Sequence, residues 1–337
     1  MTSLFHIANK INEMLTEYEL GNLQELRKNI HSLSRVPSKY VFDQRGVKKD
    51  WGAHFGGRAE LQFNIGFENN SFRYGVAFSL RPSRDHPNLN ALIEKINLFN
   101  EYIDEFGTEF YDLSMWHYDV EHDGSRSEDF QPTIIKSEWC KTNAFIFLGE
   151  KQNREKIDYQ RVCDVLDRLL PLYLHIEIAS NNDSPSTPSF VFKPGCRAKL
   201  SFTKASYKKD QQIDVRLLHN DLQQALYDEL VQVYGRDNVG TENIIGCGRV
   251  DLTLQLGDKY RLYEIKTAFS AKSCIRQAIG QLLEYAYFYK AGFVEKLIVA
   301  GPVKCTSVEH SYLNELQNKF NLPIEYYQIK GPCFDFD

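Results

Sequence analysis

A two-domain α/β architecture is the expectation for this 337-residue chain, and three observations carry it. The length allows two ordinary domains, each with a sizeable core. The stretch ASNNDSPSTPS (179–189) is rich in Ser, Asn and Pro, lacks a core pattern and reads as a linker. Beyond it, strand alternation and helical spacing succeed one another as helix, strand, strand, strand, helix, strand, helix, strand, the order of a mixed sheet covered by helices. The expected division is 1–178 for an N-terminal α+β domain for recognition or targeting, 179–192 for a linker, and 193–337 for a C-terminal α/β domain.

Taken in order, Leu4, Ile7, Ala8, Ile11, Met14 and Leu15 have the spacing of a helical opening within 1–31. AELQFNIGFE (59–68) and SFRYGVAFSL (71–80) alternate around Asn69-Asn70 as a hairpin. DHPN signals the start of an amphipathic helix over 89–106. A strand is expected over 141–151, and a helix over 156–175, broken or ended near Pro171. After the linker, KPGCRAKLSFTKASYKK (193–209) holds six basic residues and no acid. A solvated strand or loop and a strip facing phosphates are both open here, and its place just before the residues discussed below favours the second. DLQQALYDELVQVYG (221–235) puts Leu222, Leu226, Leu230 and Val233 on one helix face, with Gly235 as C-cap. A strand over 238–246, a hairpin over 249–267, a long helix over 273–292 ended by Gly292, a strand over 294–301, a helix over 307–320 and a strand over 324–329 complete the chain.

Composition is that of a soluble globular protein, 42% hydrophobic and 25% charged. There is no apolar run of about 18 residues, so no membrane span is expected. The opening MTSLFHIANKINEMLTEYEL is acidic and lacks a small-residue cleavage site, so no secretory leader is expected. Seven scattered cysteines without a CxxC pair point to reduced thiols in the cytoplasm and away from zinc. A net charge of −5 neither announces nor excludes a nucleic-acid binder, because local patches decide that.

The hairpin RVDLTLQLGDKYRLYEIKT (249–267) carries Asp251 in one strand and Glu264 in the other. Gly257-Asp258 is a Gly-X pair suited to a two-residue loop. With that loop Leu256 faces Lys259, and counting back sets Asp251 opposite Glu264 and Arg249 opposite Lys266. Like charges in that position destabilise a sheet unless something offsets them. A divalent, oxygen-seeking cation such as Mg²⁺ does so, with Lys266 on the same face to orient water or stabilise charge on a phosphate. A surface hairpin with Lys266 bridging both acids is the bland alternative.

Asp251, twelve intervening residues and Glu264-Ile265-Lys266 resemble the D…(D/E)-x-K signature of the PD-(D/E)XK nuclease superfamily, over about residues 215–330. Gln281-x-x-x-Tyr285 resembles the Q-x-x-x-Y motif of its RecB-like and lambda-exonuclease-like branches. The resemblance implies a restriction-endonuclease-like αβββαβ core and hydrolysis of phosphodiesters. It implies Mg²⁺, with Mn²⁺ able to substitute, held by Asp251, Glu264 and the Ile265 carbonyl, and Lys266 assisting the attacking water. Gln281 and Tyr285 would hydrogen-bond phosphate or hold the lysine. Glu242 is the preferred third acid, ahead of Glu229 and Asp228, and His219, just before the helix at 221–235, is similar to a histidine that some branches place near the metal. Val250 stands where the family name has proline.

Arg249, Lys199 and Lys204 are the candidate phosphate contacts of the C-terminal domain. In the N-terminal domain Arg45, Lys48, Lys49 and Arg58 could contact phosphates, and Trp51 or Trp116 could stack on a base. The function expected is a Mg²⁺-dependent DNA endonuclease of restriction or phage defence, working as a homodimer on DNA that is modified or unmodified. The alternatives are a repair or RNA-processing nuclease and a catalytically inactive nucleic-acid-binding or assembly protein.

Overall fold

The computed structural model describes residues 2–82, 89–119, 126–180, 190, 192–196, 210–246, 248–288 and 292–330. The chain divides into two compact units, Met1–Ser186 and Thr187–Asp337, a boundary that falls inside 179–192. Both are mixed α/β. No described helix is long and apolar enough to cross a membrane.

Unit 1 opens with α1 (Leu4–Met14) and α2 (Leu23–Ile30), separated by 3₁₀ turns. Ser3 caps α1 by accepting the His6 N–H. Strands β1 (Trp51–Ala53), β2 (Gln62–Glu68), β3 (Ser71–Ser79), β4 (Ser114–Asp119) and β5 (Ala144–Asn153), with α3 (Asn90–Phe106) between β3 and β4, form a sheet in the order β1-β2-β3-β5-β4, antiparallel throughout. The β2–β3 hairpin turns at Asn69, whose φ is +55°, a conformation that asparagine tolerates. The helix expected over 156–175 is two, α4 (Tyr159–Arg168) and α5 (Leu170–Ala179). The break precedes Pro171, which occupies the first turn of α5, where its missing N–H costs nothing. Strands β1 and β4 are additions to the sequence reading.

The sheet of unit 1 is strongly bent. Arg73 and the Ser79–Phe145 pair lie six residues apart along β3, about 20 Å on a flat strand. Yet the Arg73 guanidinium carbon is 5.3 Å from the Phe145 ring centre, and within 5.7 Å of those of Trp116 and Phe147. Gly75 and Gly149 face each other between these rows, and a Cβ on either would overlap the other strand's backbone. Paired glycines therefore permit the bend.

Unit 2 runs α6 (Asp210–Tyr234), β6 (Val239–Ile245), β7 (Gly248–Leu256), β8 (Lys259–Ile265), α7 (Ala271–Leu283), β9 (Val294–Gly301), α8 (Ser307–Phe320) and β10 (Ile324–Gln328). Its sheet has the order β10-β9-β8-β7-β6. The pairs β6–β7 and β7–β8 are antiparallel, and β8–β9 and β9–β10 parallel. Leu222, Leu226 and Leu230 of α6 are buried against Leu252, Leu254, Tyr263, Ile265, Ile298 and Ala300. Each such leucine contributes roughly 1.5–3 kcal/mol. Ser270 caps α7, whose Cys274, Ile275, Ala278 and Leu282 are buried. Gly195 pairs with Gly240 on the outer edge of β6, so the start of the 193–209 strip lies beside that strand.

Candidate functional site

The hairpin loop is Gly257-Asp258, with Gly257 at φ +65°. Five cross-strand pairs, from Leu256–Lys259 to Leu252–Tyr263, keep the expected register. The ladder ends there, one step short of Asp251–Glu264. The Ile265 N–H donates to the Asp251 carboxylate, Oδ2, at 2.8 Å instead of to a strand carbonyl. The expected pairing of Arg249 with Lys266 does not form either, because β7 and β8 have parted by that point; Arg249 keeps only its partner on the other side, Ile244 of β6.

The other side of β7 behaves alike. Thr241 pairs with Leu252 and Asn243 with Val250, but the step between, Glu242–Asp251, is skipped. Glu242 has φ +57°, a left-handed conformation that costs a non-glycine residue on the order of 1–2 kcal/mol. Asp251 is thus the point at which both neighbouring ladders lapse. Gln223 of α6 reaches into the gap. Its Nε2 donates to Glu242 Oε1 at 2.6 Å and to the Asp251 carbonyl at 2.7 Å.

The leucine stripe that docks α6 explains this delivery. His219 and Gln223 are four residues apart, in the row next to Leu222 and Leu226, so docking the stripe carries both polar side chains to the sheet. His219 Nε2 lies 3.3 Å from Asp251 Oδ2. It sits within α6, which begins at Asp210, and not before the helix as expected. Glu229 accepts a hydrogen bond from the Tyr327 hydroxyl and Asp228 one from Gln224, so neither is brought to the site.

Lys266 Nζ donates to Glu264 Oε1 at 2.9 Å and to Gln281 Oε1 at 2.6 Å. Tyr285 donates to the Arg249 carbonyl at 3.3 Å. It lies in a π-helical turn, Glu284–Phe288, that follows α7, a widening often found at functional sites. Its ring fills the space over Gly248, where a Cβ would overlap it. Asp251, Glu264 and Glu242 are 7%, 3% and 6% exposed, so these carboxylates meet their partners largely out of water, where each contact counts for more.

Six residues of the expected set, Glu242, Asp251, Glu264, Lys266, Gln281 and Tyr285, are therefore linked by direct contacts or through Gln223, Ile265 and Arg249. Lys199 and Lys204 lie outside the described residues. In unit 1, Trp51 is 45% exposed and Trp116 only 3%. Trp116 is enclosed by Arg126, whose guanidinium stands 4.3 Å over its ring, and by Phe147, so of the two tryptophans Trp51 has the surface to stack on a base. Arg58 donates to the Arg81 carbonyl, and Arg45 pairs with Asp43 and covers Phe55.

Sequence reasoning missed Gln223, though its spacing from His219 was a usable signal. It also missed a buried network in unit 1. Arg27 grips Glu60 with two hydrogen bonds, at 2.9 and 2.6 Å. Tyr173 donates to the same carboxylate at 2.6 Å. The Phe63 N–H donates to His54 Nδ1 at 3.0 Å, which leaves His54 Nε2 to donate to Glu60 at 3.1 Å. Lys95 pairs with Glu177 at 2.5 Å, and His31 Nε2 lies 3.2 Å from Glu60 and 3.7 Å from Glu177. Burial raises the proton affinity of both acids. For Glu60 the hydrogen bonds from Arg27, His31 and His54 win and hold it well below the ordinary range. For Glu177 burial wins over Lys95, and it is raised. One donor atom each from His31, Glu60 and Glu177 lie within 4.8 Å of one another, a metal-like spacing. Arg27 and Lys95 already balance the two carboxylates, which makes this a charge-compensated polar core. Nothing in the sequence spacing marks it, because its members come from α2, α3, α5 and the loop before β2.

No family model matches this chain, and no curated protein or solved structure matches it.

Proposed function

We propose that the chain is a Mg²⁺-dependent endonuclease with a restriction-endonuclease-like core in unit 2, hydrolysing phosphodiester bonds in DNA. Restriction or phage defence is its setting, and unit 1 recognises the DNA, modified or not. The observation that carries the reading is the parted end of β7 and β8, where Asp251 accepts the Ile265 N–H and faces His219, Lys266 is held by Glu264 and Gln281, and Gln223 joins Glu242 to the Asp251 carbonyl. A surface hairpin would leave its acids in water; here they are buried and individually held.

The oxygen donors are of the kind a hard divalent cation takes: the carboxylates of Asp251 and Glu264 and the carbonyl of Ile265, with His219 Nε2 3.3 Å from Asp251 Oδ2. Such an ion, Mg²⁺ or Mn²⁺, supplies Lewis-acid polarisation of a phosphate oxygen when bound. The remaining work falls to the chain. The Ile265 N–H fixes the orientation of Asp251. Gln281 and Glu264 hold the Lys266 ammonium, a donor suited to a phosphate oxygen on which charge develops. Tyr285 ties α7 to the Arg249 carbonyl. A homodimer would supply one such site for each strand of a duplex.

The test is incubation of the chain with methylated and unmethylated duplex DNA, single-stranded DNA and RNA, in Mg²⁺, Mn²⁺ or chelator. Cation-dependent cleavage of duplex DNA is expected. Cleavage confined to RNA or single strands would move the reading to a processing or repair nuclease, and no cleavage of any substrate would sink it.

A further inference from the structure

Arg73 of β3 is a buried cation without a carboxylate partner among the described residues. It is 9% exposed. Its one hydrogen bond there runs from Nη1 to Asn64 Oδ1, a neutral acceptor, at 2.5 Å. The nearby acids are engaged elsewhere: Glu68 pairs with Arg126 at 2.5 Å, and Asp129 with Arg126 and, at 2.6 Å, with Lys151. What surrounds the guanidinium is aromatic, the rings of Trp116, Phe145 and Phe147. These offset part of the cost of burial. Burial still pulls the Arg73 pKa down to about 10, so the group is charged at neutral pH. In the same cluster the Trp116 indole N–H is buried with no acceptor, and buried donors ordinarily have one. A buried charge without a counter-ion is costly to keep, which points to an anion arriving from outside. Register gives its route. Trp51, Gly66 and Arg73 are cross-strand partners on β1, β2 and β3, so they share one face of the sheet. Gly66 contributes no side chain, and the guanidinium lies over it: a Cβ there would stand 2.9 Å from Arg73 Nη2. Trp51, next in the row by one strand spacing of about 5 Å, is the exposed tryptophan.

We propose that this face of unit 1 binds a nucleotide, with its phosphate on Arg73 and its base on Trp51. The inference deepens, and rests on, the reading of unit 1 as the DNA-recognising unit; it is independent of the chemistry assigned to unit 2. Phosphate suits the site because the guanidinium fork can meet two of its oxygens at once. A base suits it because an open indole takes the π-face of any base. A free nucleotide and a nucleotide within a strand present the same phosphate and base.

The test is calorimetric titration of the full chain, with chelator present to prevent cleavage. The probes are a deoxynucleoside, its 5′-monophosphate, a short single-stranded oligonucleotide and a duplex. Arg73→Met and Trp51→Ala are titrated alongside, with thermal unfolding recorded for each. The wild type is expected to bind the monophosphate about 10–100-fold more tightly than the nucleoside. Arg73→Met, which keeps the length and loses the fork, should erase that difference. Trp51→Ala should weaken nucleoside and monophosphate alike and leave their ratio unchanged, a split that a general loss of fold would not produce. Tighter binding of the oligonucleotide than of the monophosphate would assign the site to a strand, and the reverse to a free nucleotide. A wild type that does not prefer monophosphate to nucleoside would overturn the inference, whether or not Arg73→Met folds, as would a preference that survives in folded Arg73→Met. Either result with DNA still bound leaves recognition by unit 1 standing. A wild type that binds none of the four probes would overturn both.

Discussion

Single side chains decide the two polar centres of this protein by different means. Glu60 is held ionised in unit 1 by Arg27 and its neighbours, and its folded pKa is depressed. Its stabilising contribution is therefore present above the ordinary carboxylate value, 4.5, and is lost as pH falls through the lower folded value. Glu177, whose pKa is raised, acts in the opposite sense: its contribution is full below 4.5 and is lost as pH rises through the raised value. Glu60→Gln is expected to cost about 3–5 kcal/mol at pH 7, since it strands the buried Arg27. Denaturant melts across pH would show the gap to wild type closing towards strong acid. At the other centre, Gly248→Ala would force the Tyr285 ring aside. A loss of about 1–3 kcal/mol in stability with a fall in cleavage rate is expected, and an unchanged variant would mean that the ring has room to move.

At the scale of elements, the hairpin shows what is legible in a sequence and what is not. A Gly-X loop and strict alternation are local, so the turn and the five pairs behind it were readable from residues 252–263 alone. The end of the ladder was not, because it depends on α6: Gln223 and His219 take up the carbonyl and carboxylate of Asp251 across a distance that no β-pattern encodes. Helix α6 itself was readable from its leucine stripe, and so was more of its N-terminal part than the sequence reading took up, since Leu218 extends the stripe one turn upstream and packs on the same core. Strand β1 has three residues, too few for an alternation, and β4 owes its place to pairing with β5. The stripe that docks α6 also sets a prediction. Leu226→Ala should cost about 2–5 kcal/mol and weaken cleavage more than an equally destabilising change far from the site, because it loosens the helix that carries His219 and Gln223.

Across the whole molecule, each unit buries its own apolar residues, and among the described residues each holds one of the two polar networks. Calorimetric unfolding is expected to register this as separable effects: Glu60→Gln lowers the unfolding of unit 1, and Leu226→Ala that of unit 2. A single transition displaced equally by both would show instead that the chain unfolds as one cooperative body. The division also assigns labour. On the proposed reading the chemistry falls to side chains of unit 2, whereas unit 1 offers an exposed Trp51 and a charge-compensated interior. If unit 1 recognises DNA as proposed, Trp51→Ala should weaken DNA binding while leaving Mn²⁺ binding by unit 2 unchanged.

On the proposed reading Asp251, Glu264 and Lys266 cleave phosphodiesters together. The decisive experiment is plasmid cleavage in Mg²⁺ by the wild type, Asp251→Ala and Lys266→Ala, with folding checked by melting temperature. The expected result is cation-dependent cleavage by the wild type that falls by about 10²–10³-fold or more in each variant while both remain folded. Undiminished cleavage in folded Asp251→Ala or Lys266→Ala would contradict the account, as would a wild type that cleaves no nucleic acid in any divalent cation.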